Sequence, residues 1–126
     1  MKTPSQRQLR AGELVRRTIA ELLSEGAVKD PAVLNAAITV SEARMSPDLR
    51  YATVYVAAMG EAADAAAVAM NRAAGFIQHE LAERTELRWT PKLTFKADDR
   101  FDEAVRIDEI LDRDSVKRDL GDRGED

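Results

Sequence analysis

Apolar and polar residues follow two periods along this chain, and the first of them predicts a helix. From about Gln6 to Ser24 the apolar positions recur about every 3.6 residues and gather on one side. That side consists of Ala11, Val15, Ile19, Leu22 and Leu23. Gly26 is predicted to end this helix, and Asp30-Pro31 is predicted to form a turn.

Three later stretches alternate with a period of two, as strands do. The first, AAITVSEARM, is followed by LRYATVYVAAM, which is rich in the β-branched and aromatic residues that suit a half-buried sheet. Because only the turn cluster Ser46-Pro47-Asp48 separates them, they are predicted to pair as a hairpin. The third strand, Lys92 to Ala97, has a basic face formed by Lys92, Thr94 and Lys96.

An alanine-rich segment between the hairpin and the third strand is predicted to be a helix that is interrupted at Gly75. Glycine inside a helix costs about 1 kcal/mol relative to alanine, but it permits backbone angles and close approaches that a Cβ forbids. The spacing favours a tolerated weak point or the end of one helix, since an isolated glycine is often only tolerated. The alternative is a kink that presents backbone to a ligand.

The remaining apolar residues, at about 102–111, predict a short C-terminal helix, whereas residues 113–126 contain too few of them to pack. We therefore expect one domain over residues 1–112 and an acidic tail without fixed structure over residues 113–126. The order helix, strand, strand, broken helix pair, strand and helix predicts an α+β domain of two layers, with helices on one face of a small sheet.

Composition narrows the classes of function. The 126 residues include no cysteine, which excludes disulfides and thiolate metal sites, and one histidine, His79, which excludes a multi-histidine metal site. Nothing pairs a nucleophile with a base, so we expect no enzyme and no catalytic residue, metal or cofactor. The chain lacks an apolar run of the roughly 20 residues that span a membrane and the apolar core of a signal peptide. A cytoplasmic protein without a membrane partner is expected.

Charge is distributed unevenly, although the net charge is only −4. The first 20 residues carry five basic side chains and one acidic one, whereas residues 98–126 carry six basic and twelve acidic ones. Arg7, Arg10 and Arg17 gather on one flank of the first helix. They form either a solvated side or a stripe that faces phosphates, because nucleic-acid binding depends on a local basic face.

Three aromatic residues are of the type that stacks on nucleic-acid bases. Trp89, at the entry to the third strand, is expected to pack in the core or at its rim. Tyr51 and Tyr55 share one face of the second strand, where they either pair across strands or stack on bases.

Five short sequence motifs occur in the order and spacing that are typical of a known family. They are Asp30-Pro31, SPDLRYATVYV, NRAAGFIQHEL, LRWTPKLTF and RIDEIL. Because of these motifs, residues 7–112 resemble the ribosome-binding factor A family. The resemblance implies a KH-like fold of the second type, in the order α-β-β-α-kink-α-β with a short C-terminal helix. KH domains clamp nucleotide backbone with a GxxG loop. The family replaces this loop by an Ala-x-Gly kink, here Ala73-Ala74-Gly75, and the GxxG at 121–124 is set aside because it lies in the acidic tail.

The resemblance implies a non-enzymatic factor that binds free 30S subunits and 16S rRNA during late maturation, particularly of the 5′ end, and that is associated with cold adaptation. A monomer is expected. Arg72 and Gln78 flank the kink and are placed to donate to RNA. The chain departs from the family at Ala32, where a basic residue is usual, and at Lys92, where Glu is usual.

The residues expected to contact RNA come from the basic stripe, the kink and the third strand. They are Arg7, Arg10, Arg17, Arg72, Ala73, Ala74, Gly75, Gln78, Lys92 and Lys96. Two alternatives stay open, a generic KH-type module for single-stranded RNA and a protein-interaction domain without an RNA role.

Overall fold

A computed structural model of the protein describes residues 3–59 and 62–98. The elements in chain order are α1 (Gln6–Ser24), α2 (Pro31–Leu34), β1 (Thr39–Met45), β2 (Tyr51–Ala57), α3 (Ala62–Arg72), α4 (Ala74–Arg84) and β3 (Lys92–Ala97). The predicted helix at 102–111 and the tail at 113–126 lie outside the described residues.

Helix α1 begins with a capping box, in which Ser5 and Gln8 each satisfy the other's backbone. The Ser5 hydroxyl accepts a hydrogen bond from Gln8 N at 3.1 Å, and Gln8 Oε1 accepts one from Ser5 N at 2.8 Å. Beyond the helix Gly26 has a φ of 68°, the left-handed conformation that commonly terminates helices. The predicted span and end of this helix are confirmed.

Helix α2 occupies the segment where only a turn is predicted. Asp30 caps it, because its carboxylate accepts a hydrogen bond from Ala32 N at 2.9 Å, and Pro31 takes the first helical position, where its missing N–H costs nothing. The prediction of a plain turn is therefore wrong. A helix of four residues is too short to leave an apolar period in the sequence.

The sheet has the strand order β1-β2-β3. Strands β1 and β2 are antiparallel, which confirms the predicted hairpin. Strand β3 runs parallel to β2, with Tyr51 opposite Lys92 and Tyr55 opposite Lys96. A parallel pair requires a crossover connection, and α3 and α4 provide it.

The helices cover one face of the sheet and bury its apolar side chains. Val54 and Val56 of β2 and Phe95 of β3 join one core cluster with Ile19 of α1 and Ile77 of α4. Fully burying a side chain of this size contributes about 1.5–3 kcal/mol, so the contact between the two layers is a main source of stability. No element within residues 3–59 and 62–98 covers the opposite face. The predicted two-layer α+β arrangement is confirmed.

Helix α1 lies directly against strand β1. Gln8 Nε2 donates to the carbonyl oxygen of Met45 at 3.0 Å. The helix backbone passes so close that a Cβ added to Gly12 would lie 2.5 Å from the carbonyl oxygen of Ala43. Residue 12 therefore has to be glycine for the helix to approach the strand this closely.

The outer edge of β3 is closed by two amide side chains of the helices. Leu93 N donates to Gln78 Oε1 at 2.9 Å. Asn71 satisfies both backbone groups of Phe95: its Oδ1 accepts from the N–H at 2.8 Å, and its Nδ2 donates to the carbonyl at 2.9 Å. Unpaired strand edges invite pairing with other chains, so these amides protect the edge.

Candidate nucleic-acid interface

The break between α3 and α4 falls at Ala73, two residues before the glycine from which it is predicted. Ala73 has a φ of −92° and a ψ of 8°, and its N–H donates to the carbonyls of both Ala69 and Met70 at 3.1 Å. Gly75 is the second residue of α4 and does not have a positive φ. The break in the helix therefore does not depend on a backbone angle reserved for glycine.

Gly75 nevertheless lies at an open surface. A Cβ added there would have no heavy atom within 4 Å, and the residue is exposed. No side chain caps the start of α4. The first turn of α4 therefore exposes backbone atoms that a ligand can approach closely. This is what the alternative interpretation of Gly75, a kink that presents backbone to a ligand, requires.

Arg72 and Gln78, which flank this junction, point to different neighbours. Arg72 is 71% exposed and lies 3.9 Å from the carboxylate of Asp30, a surface ion pair of small energetic value. Gln78 turns toward the sheet, where Leu93 N holds its Oε1. The bond fixes the amide, so that the Nε2 donor faces away from the strand.

Gln78 and Lys92 are two predicted site residues that the structure brings together. Both line a cavity of about 510 Å³ at the point where β2 and β3 begin. Its other lining residues are Arg50, Tyr51, Trp89 and Thr90. Trp89 is 58% exposed, so of the two expected positions, core or rim, the core is wrong.

The open face of the sheet combines tyrosines with basic residues. Tyr51 and Tyr55 lie opposite Lys92 and Lys96 in the β2–β3 register, so the tyrosines neighbour lysines across the strands. From β1 the guanidinium of Arg44 lies 5.6 Å from the ring centroid of Tyr55, within the range of a cation–π contact. Arg44 also pairs with Glu42 at 2.7 Å, so the positive charge beside the tyrosines comes from Lys92 and Lys96.

The arginines of α1 lie on a different surface. Arg7, Arg10 and Arg17 are exposed on the helical layer, on the other side of the sheet from Lys92 and Lys96. The ten predicted contact residues therefore form a stripe on α1, a junction at α3–α4 and a sheet face, and Gln78 and Lys92 connect the last two at one cavity.

Glu13 partly neutralises the α1 stripe. It makes a salt bridge with Arg16, and its carboxylate lies 3.6 Å from Arg17. The hydrogen bond from Arg16 lowers the pKa of Glu13, so the carboxylate is charged at neutral pH. Arg7 and Arg10 form no ion pair with any residue in the described part of the chain.

Neither a metal site nor a membrane-spanning helix is found among the described residues. Within residues 3–59 and 62–98 no group of three or more histidine or acidic side chains is placed to hold a metal ion. In the same ranges no helix has the length and apolar character needed to cross a membrane.

Known proteins match this chain over most of its length. The family model for ribosome-binding factor A matches residues 7–111. The chain is similar to ribosome-binding factor A of Methylobacterium sp. (strain 4-46), with 50% identity over 121 residues that cover 94% of the chain and 86% of that protein. The corresponding protein of Phenylobacterium zucineum is 48% identical over 118 residues, 93% of the chain and 81% of that protein.

A solved structure matches the fold as well. The crystal structure of ribosome-binding factor A from Thermus thermophilus superimposes with a TM-score of 0.61 and 30% sequence identity, over 71% of this chain and 94% of that one. The KH-like α+β fold expected from the sequence is thereby confirmed. By its sequence over residues 7–111 and by its fold, the chain belongs to the ribosome-binding factor A family.

Proposed function

We propose that this protein is a non-enzymatic assembly factor of the small ribosomal subunit. It binds free 30S subunits through 16S rRNA during late maturation, supports processing of the 5′ end of that RNA, and leaves before translation. Residues 1–112 act as one monomeric cytoplasmic domain, and residues 113–126 form an acidic tail. Family membership supports the ribosomal partner.

The observation that carries the proposal is the basic and aromatic face of the sheet beside the bare start of α4. Lys92 and Lys96 stand next to Tyr51 and Tyr55, and Gly75 is exposed at the adjoining junction. Lysines bind phosphates, and aromatic rings stack on unpaired bases, so the surface has both chemistries that single-stranded RNA requires. The α3–α4 junction takes the place of the GxxG loop with which KH domains clamp nucleotide backbone. The arginines of α1 supply a second contact to phosphates.

Binding alone is enough for the proposed role. A protein that binds one conformer of rRNA more tightly than another shifts their populations by that difference in affinity, and about 1.4 kcal/mol shifts the ratio tenfold. Cold stabilises misfolded RNA helices, which is where such a shift is most useful. The mechanism needs no nucleophile, general base or bound metal.

Cosedimentation tests the proposal. The full-length protein is mixed with free 30S subunits or with intact 70S ribosomes, and the bound fraction is measured after centrifugation. We expect binding to free 30S subunits and little to 70S ribosomes. Equal binding to both, or to an unrelated single-stranded RNA as tightly as to 30S subunits, would contradict the proposed role and favour a generic RNA-binding module.

A pair of variants connects the test to the sheet face. Lys92→Ala/Lys96→Ala removes the two lysines of the sheet face, whereas Lys29→Ala removes one exposed lysine in the loop between α1 and α2. We expect the double variant to bind 30S subunits more weakly and the control to bind like the wild type. In a strain that lacks the protein, precursor 16S rRNA should accumulate, and the double variant should fail to restore processing at low temperature.

A further inference from the structure

We propose that the cavity at the start of β2 and β3 binds one unstacked nucleotide of a single-stranded RNA. The base stacks on Trp89, the phosphate pairs with Arg50 and Lys92, and the amide of Gln78 donates to the edge of the base. This inference rests on the proposed function, since it names a subsite of the RNA surface.

The cavity has the size and chemistry for such a ligand. Its volume of about 510 Å³ lies within the range of about 300–1,000 Å³ that is usual for small-ligand sites. Trp89 and Tyr51 are 58% and 59% exposed, so both aromatic rings are accessible to a ligand in the cavity. Of the six lining residues two are cationic, and none is acidic.

Backbone pairing holds three of the lining residues in place. Tyr51 and Lys92 are partners in the parallel β2–β3 register, and Lys92 N donates to the carbonyl of Arg50 at 2.8 Å. Leu49, which precedes Arg50, has a φ of 62°, a left-handed conformation that costs a non-glycine residue about 1–2 kcal/mol. Backbone strain of this kind is often found where a side chain is positioned for function.

The remaining polar groups fit the same ligand. Gln78 is held by Leu93 N through its Oε1, so its Nε2 remains as a fixed donor. Arg88 lies 5.6 Å from the ring centroid of Trp89 and does not line the cavity, so the proposed base stacks on the indole surface that faces the cavity. Asp48, in the turn before β2, accepts hydrogen bonds from the hydroxyl of Ser46 and the N–H of Arg50 through one carboxylate oxygen, Oδ1, and its charge also attracts Arg50.

A nucleotide fits these groups better than an acidic peptide does. Carboxylates would use the two cations but leave the faces of Trp89 and Tyr51 uncovered. A nucleotide uses both the cations and the aromatic faces, since its phosphate is charged and its base has a π-face that stacks on a ring. Duplex RNA is excluded as a ligand of the cavity, because its bases are already stacked and paired.

Trp89 is also the sole tryptophan of the chain, so its fluorescence reports directly on the cavity. The full-length protein is titrated with a single-stranded RNA of about eight nucleotides, with the same sequence as a duplex, and with polyglutamate. We expect quenching and a spectral shift with the single strand alone. Equal quenching by polyglutamate would assign the cavity to acidic peptides, and no response to the single strand would overturn the proposal.

Binding of labelled RNA, followed by fluorescence anisotropy, tests the roles of the side chains. Trp89→Ala should weaken binding by about 5- to 150-fold, the range expected for one lost base–aromatic stack, and Trp89→Phe should restore most of it. Lys92→Ala should weaken binding and reduce its dependence on salt. Val68→Ala, which shortens an exposed side chain of α3, serves as the matched control and should have no effect.

The two proposals fail in different ways. If Trp89→Ala stays folded and binds both the oligonucleotide and 30S subunits like the wild type, the nucleotide site is wrong while the assembly role stands. If the oligonucleotide quenches Trp89 but the wild-type protein ignores 30S subunits, the site stands and the assembly role is wrong. Because Trp89 is exposed, its substitution leaves the core intact.

Discussion

Gly75→Ala separates the role of the α3–α4 junction in folding from its role in binding. Residue 75 has an ordinary helical position in α4, and a Cβ there meets no heavy atom within 4 Å. Alanine should therefore stabilise the domain by about 0.4–1 kcal/mol, because it lowers the entropy of the unfolded chain. For a domain of this size the melting temperature should rise by about 2–8 °C.

The same substitution should weaken binding to 30S subunits if RNA backbone approaches the junction closely. The added methyl group occupies space that is open in the free protein, so the clash arises only in the complex. Thermal melting and cosedimentation on one preparation measure both effects. A more stable protein with reduced affinity is the expected result. Unchanged affinity would refute the RNA-facing role of the junction, and a lower melting temperature would refute the reasoning about its geometry.

Gly12→Ala is the matched control, because it makes the same chemical change where the methyl group has no room. Its Cβ would lie 2.5 Å from the carbonyl oxygen of Ala43, which belongs to backbone and cannot rotate away. Overpacking of this kind costs about 1–3 kcal/mol. We expect the two glycine variants to shift the melting temperature in opposite directions.

Four further outcomes are expected. Affinity for 30S subunits should fall steeply with salt, and Lys92→Ala/Lys96→Ala should reduce the slope of log K against log salt by about 1.4–1.8. Asn71→Ala removes two hydrogen bonds from β3 and should cost about 1–3 kcal/mol in urea unfolding. Removing residues 113–126 should leave the melting temperature unchanged, because they carry little apolar area. The hydrogen bond from Ser46 holds the pKa of Asp48 below its ordinary value of 3.8, so stability should be lost as pH falls below about 4, and less in Asp48→Asn.

The periodic parts of the fold could be predicted from the sequence. Helix α1 and strands β2 and β3 each repeat an apolar pattern over six residues or more, because one face of each packs in the contact between the layers. In β1 a bulge between Val40 and Glu42 interrupts the alternation. Helix α2 left no such pattern, and its only signal was the cap residue Asp30 before Pro31. The glycine marked the broken helix but not the place of the break, because Ala73 breaks it through its backbone hydrogen bonds.

The candidate site was less accessible to sequence reasoning. Lys92 and Gln78 were identified as separate candidates, and only the parallel pairing of β2 with β3 places them beside Arg50 and Trp89. That pairing depends on the path of the crossover connection through α3 and α4, and no local sequence pattern indicates this path. The usual behaviour of tryptophan predicts a place in the core or at its rim for Trp89, whereas the buried side chain nearby is that of Pro91 and the indole is 58% exposed.

The way in which β3 is held has a consequence for synthesis on the ribosome. The hairpin of β1 and β2 leaves the ribosome first, whereas β3 follows only after the whole of α3 and α4. Until then the outer edge of β2 has no partner, and the amides of Asn71 and Gln78 have no strand to bind. A nascent chain that pauses in this interval presents an unpaired edge to other chains, so the period of greatest aggregation risk ends when β3 inserts between β2 and the two amides.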